Sequence, residues 1–165
     1  MLDKINVSQI VCDHFNTFRN YRTKRYSPID FVIFLGLPLA IASVSIRYLG
    51  VLPQNLIGVA VTSLSVFTAL LLNLLMAAYT VAKNSTTLTN ERKKQIRKEL
   101  VHEVFSNISF AVLIAIVTAA FVLSLGMIEN QTSSHLIFAL NFLIYFFGSM
   151  FFLTLFMLLR RVYLW

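Results

Sequence analysis

The chain has 165 residues, 58% of them hydrophobic and 13% charged, with a mean hydropathy of +0.75 and a formal net charge of +7. A soluble domain of this size needs far more polar surface to cover itself, so the composition excludes an ordinary water-soluble fold. The apolar residues fall into long blocks, and a run of about 20 is the length that spans hydrocarbon.

Residues 1–29 are polar and basic, with Lys4, Arg19, Arg22, Lys24 and Arg25. Val7, Ile10, Val11, His14, Phe15, Phe18 and Tyr21 recur at spacings of three and four, which predicts an amphipathic helix. It should end near Ser27-Pro28, because proline disfavours helix in the residue before it. The single cysteine, Cys12, excludes an intrachain disulfide and reads as an ordinary small apolar residue.

A first span is expected over residues 31–49, kinked at Pro38 beside Gly36, with a short turn at Leu52-Pro53. Ala40-Ile41-Ala42 resembles a signal-peptidase site, but the basic segment before it is long and the apolar run continues past it, so no cleavage is expected. A second span follows at 56–81, then a polar loop from Lys83 to Thr87. Thr89 or Asn90 can cap the next helix, with Glu91 in its first turn. No proline or glycine follows until Gly126, which predicts one helix of about 36 residues, near 54 Å long. Its residues 90–105 should stand in the cytoplasm as a basic stalk, and 106–125 form the third span. After a polar loop from Gly126 to Ser134, the fourth span covers 136–159 and stops at Arg160-Arg161.

With four spans, thirteen of the fourteen Lys and Arg residues lie on one side, and only Arg47 lies near the other. That bias places both termini in the cytoplasm. The expected fold is an all-α, multi-pass integral protein of the inner (plasma) membrane with four transmembrane helices. Residues 1–29 form its cytoplasmic amphipathic helix and 30–165 its transmembrane domain.

No catalytic pattern is visible. The second and fourth spans hold no ionisable residue, which argues against a proton-coupled transporter. His14, His102 and His135 lack metal-ligand spacing and read as ordinary surface residues. No Walker loop, dinucleotide fingerprint or Ser/His/Asp pattern occurs, so neither an enzyme, a cofactor nor a metal site is expected. The Asn-x-Ser/Thr triplets at Asn6, Asn84, Asn107 and Asn130 read as coincidence.

Three features could carry function. In the second span Gly58, Thr62, Ser65, Ala69, Asn73, Met76 and Thr80 share one helix face. Thr62, Ser65, Asn73 and Thr80 are candidates for a pore lining; close helix packing is the competing reading. In the fourth span Phe138, Phe142, Tyr145, Phe152 and Phe156 form an aromatic stripe with Ser149, a candidate hydrophobic gate or a packing face. Phe15, Phe18 and Tyr21 are equally eligible as gate residues. Two cytoplasmic clusters, Arg19, Arg22, Lys24 and Arg25, and Arg92, Lys93, Lys94, Arg97 and Lys98, could bind an anionic ligand or partner, or anchor to anionic lipid.

The run Glu91-Arg92-Lys93-Lys94-Gln95-Ile96-Arg97-Lys98 and the Phe-rich fourth span, set in four spans with almost no ectodomain, resemble the small membrane effectors of bacterial anti-phage defence. The Hailong-type effector is the nearest likeness, and the four-span Kiwa-type membrane protein is a second. The resemblance implies a gated homo-oligomeric pore with aromatic gate residues. It also implies a nucleotide or short-oligonucleotide regulator made by a cytoplasmic nucleotidyltransferase partner. The function expected is therefore an oligomeric channel or pore-forming effector. A non-conducting membrane scaffold or receptor subunit is the main alternative, and a small transporter the third.

Overall fold

A computed structural model describes residues 7–16, 28–84, 91–128 and 134–163, with backbone only at 16, 28–31, 81, 82, 84, 91–100 and 161–163. These residues form five α-helices: α1 (Val7–Asn16), α2 (Pro28–Tyr48), α3 (Gln54–Asn84), α4 (Glu91–Met127) and α5 (Ser134–Tyr163). No strand occurs among the described residues.

Helix boundaries follow local chemistry. α2 begins on Pro28 itself, whose fixed φ suits the first helical position and whose missing N–H leaves no donor stranded there. Gly50, at φ 69°, supplies the left-handed residue that ends the turn after α2, and Pro53 precedes α3. α4 is the long helix expected from its lack of breakers: 37 unbroken residues, about 55 Å. It continues through Gly126 to Met127, so the loop expected from Gly126 starts later.

Among the described residues three helices are long and apolar enough to cross a membrane: Gln54–Thr80 in α3, Val101–Met127 in α4 and Ser134–Arg160 in α5. In α2, residues Val32–Tyr48 form a further apolar stretch.

α4 lies between α3 and α5, α2 packs on α5, and α1 packs on α4. Successive helices from α2 to α5 run in opposite directions. The ends of α3 and α5 (Ala78, Leu158) therefore share one core with the starts of α2 and α4 (Phe34, Val104). At the opposite end Val122 and Leu125 of α4 meet Ile57 and Ala60 of α3 and Ile144 of α5. Centrality sets burial: 44% of the apolar window is buried in α4, 28% in α5 and only 6% in α3.

One expectation is corrected here. His14 is not a surface residue but is fully buried between α1 and α4. Val101 and Val104, at the end of the expected stalk, are buried.

Candidate functional site

The side chains proposed for a pore share the outer face of α3. Thr62, Ser65, Asn73 and Thr80 are all exposed on the protomer. The hydroxyls of Thr62, Ser65 and Thr80 donate back to the carbonyls of Gly58, Val61 and Met76 at 2.8, 2.9 and 3.0 Å. Such bonds satisfy a hydroxyl inside hydrocarbon without a second helix. An amide has two donors and an acceptor, more than this arrangement absorbs, so Asn73 gives the exposed face its polar character.

The aromatic candidates do not converge within one protomer. Phe138 and Phe156 point outward, Phe142 is half-buried, and Phe152 sits at the surface edge-on to Phe67 of α3, with ring centroids 6.3 Å apart. The aromatic buried at the centre of this region is Phe151, also edge-on to Phe67. Phe15 belongs to a different place: it packs with Phe34 and Phe110 where α1 docks. Phe18, Tyr21, Arg19, Arg22, Lys24 and Arg25 lie outside the described residues, and Arg92, Lys93, Lys94, Arg97 and Lys98 are described only as part of the α4 backbone.

Two buried polar sites were not read from the sequence. In the first, His14 Nδ1 lies 2.8 Å from Asn107 Oδ1; an amide oxygen only accepts, so the ring nitrogen donates. The imidazole also stacks on Phe110, with centroids 3.8 Å apart and planes within 3°. In the second, Asn141 of α5 accepts the Leu52 N–H at 2.7 Å and donates to the Ile137 carbonyl at 2.8 Å. One helical turn on, the Tyr145 hydroxyl donates to the Gly50 carbonyl at 3.2 Å. The α2–α3 turn is thereby bolted to α5. The available signal was an asparagine inside each apolar run, since such an amide needs a partner. The partners lie 93 and 89 positions away and leave no local trace.

Among the described residues no cluster of His, Cys, Asp or Glu could hold a metal, and Cys12 is exposed. His102 and His135 are exposed. Compared with protein-family models, curated proteins and solved structures, the chain matches none.

Proposed function

We propose that the protein is a four-span inner-membrane subunit with cytoplasmic termini, and that several copies assemble into a channel gated by an anionic cytoplasmic ligand. The observation that carries this reading is the outward polar face of α3. Thr62, Ser65, Asn73 and Thr80 would face acyl chains in an isolated protomer, where an amide is costly. A ring of copies turns the same face toward a hydrated axis, and closed rotational symmetry is the common way to build one.

The four-span arrangement draws on the opposite directions of successive helices from α2 to α5, with α1, the start of α4 and the end of α5 gathered at one end of the bundle. The positive-inside bias gives that end to the cytoplasm. α2 would complete the set with its 21 residues, about 31 Å. The basic run 92–98 belongs to the polar N-terminal part of α4, where cations can meet a phosphate-bearing regulator. Opening by loss or gain of that regulator would dissipate the membrane potential, the role implied by the resemblance to anti-phage effectors.

The test is purified protein reconstituted in liposomes, with ion flux recorded as short anionic oligonucleotides are added or withdrawn and subunits counted by imaging. A ring that conducts in one ligand condition is the expected result. A monomer or dimer in tight liposomes under every condition refutes the channel and leaves the scaffold reading. Tags on the two ends reporting opposite compartments refute the four-span topology separately.

A further inference from the structure

A cavity of ≈ 350 Å³ lies among α2, α3, α4 and α5. We propose that it is a binding site for one acyl chain of a bilayer phospholipid, which enters sideways between α2 and α3. The inference needs α2 to lie along the bundle inside the membrane, but it does not depend on whether the protein conducts.

The first argument is the shape of the bundle. α3 packs on α4 and α2 packs on α5, but α2 and α3 do not pack on each other among the described residues. The space between them is bounded by Ile41 and Ser45 on one side and Ser63 and Phe67 on the other, with α5 behind. Phe67 and Phe152, both exposed and edge-on at 6.3 Å, form a rim at the surface. Gly148 of α5 lines the cavity, and a Cβ there would meet nothing within 4 Å. The cleft therefore runs to the α5 backbone itself.

The second argument is chemical. Three of the five hydroxyls that line the cavity are already committed as donors, and the other two, Ser45 and Ser63, stand on its two sides. Thr118 donates to the Ile114 carbonyl at 2.7 Å, Ser149 to Phe146 at 2.9 Å and Tyr145 to Gly50 at 3.2 Å. Water needs two to four polar partners to occupy a cavity, and an apolar one stays dry. The volume is more than twice the ~150 Å³ of a dry cavity known to take up benzene. An empty space of that size forfeits the dispersion contacts of its walls. A cleft of this kind between apolar, membrane-crossing helices faces one abundant occupant, the lipid tail. Along α5 it extends from Ile144 to Phe152, about 12 Å, so it accommodates part of a chain lengthwise.

The test uses the full chain in phosphatidylethanolamine–phosphatidylglycerol bilayers doped with a phospholipid bearing a mid-chain diazirine. After irradiation, adducts are mapped by mass spectrometry. Adducts should concentrate on Tyr145, Phe67 and Phe152 relative to Val59 and Leu70, which are also exposed on α3 but lie outside the cavity. Gly148→Leu fills the cleft from α5 and Ser63→Phe fills it from α3. Each should abolish the cavity adducts and keep those at Val59 and Leu70, so that a misfolded variant is recognised by loss of both sets. Even labelling of the cavity and the outer face, or cavity adducts that survive both substitutions, overturns the proposal. A diazirine fatty acid that labels the cavity better than the phospholipid at equal mole fraction overturns the assignment to a phospholipid.

Discussion

His14 and Asn107 stand 93 positions apart and meet in a buried 2.8 Å hydrogen bond that fastens α1 to α4. Phe110, one turn further along α4, stacks on the same imidazole. Ile10, Val11 and Phe15 complete the contact from α1. The apolar face of the amphipathic helix is thus buried against protein, at the level of Asn107 and Phe110. Any movement of the basic segment of α4 would be felt by α1 through this joint.

His14→Ala should free α1. Loss of a buried hydrogen bond that strands its partner costs about 1–3 kcal/mol. Amide exchange over Val7–Asn16 should rise while exchange in α3 and α5 stays unchanged. The double variant with Asn107→Ala should show a coupling of about 0.5–3 kcal/mol in thermal unfolding, as residues in contact do. Additive effects would remove the proposed joint.

Asn141→Leu should destabilise the bundle by about 1–3 kcal/mol, because it strands the Leu52 N–H that the amide accepts. Gly50→Ala should cost about 1–2 kcal/mol, since φ 69° is unfavourable for a residue with a Cβ. The two act on one turn, so their sum should differ from the double variant. Unfolding of detergent-purified protein, followed by circular dichroism, measures all three.

Asn73→Leu replaces the exposed amide of α3 with a side chain that lipid accepts. An interhelical hydrogen bond in a membrane contributes about 1–2 kcal/mol in model peptides, so association between labelled subunits should weaken about 5–30-fold. Energy transfer between copies in vesicles reads the association, and conductance is recorded on the same samples. If neither changes, the outer face of α3 has no part in assembly or conduction.

Replacing Arg92, Lys93, Lys94, Arg97 and Lys98 together with Gln should leave insertion intact and weaken binding of a short single-stranded oligonucleotide. Were all five to contact phosphates, the slope of log affinity against log salt would fall by about 3.5. Binding measured from low to moderate salt tests this, and an unchanged slope assigns the cluster to lipid anchoring alone.

The position and continuity of the helices were legible along the chain because they depend on local terms. Hydrophobic length marked α3, α4 and α5, and the absence of breakers between Glu91 and Met127 announced a single helix. The turn before Pro53 was announced in the same way, although its left-handed residue is Gly50. The spacing of Ile10, Val11, His14 and Phe15 marked the face of α1 but not what it faces.

Facing was decided by tertiary structure. In lipid an apolar face and a buried face have the same composition, so hydropathy distinguishes α3, 6% buried, from α4, 44% buried, only once the packing is known. The same reason hid His14, whose ring is covered by Asn107 and Phe110 from a helix far along the chain. It also hid the cleft between α2 and α3, which exists because each of these neighbours in sequence packs on a different central helix. Local propensity sets where a helix begins and ends; which side it turns inward is fixed by partners that no local window contains.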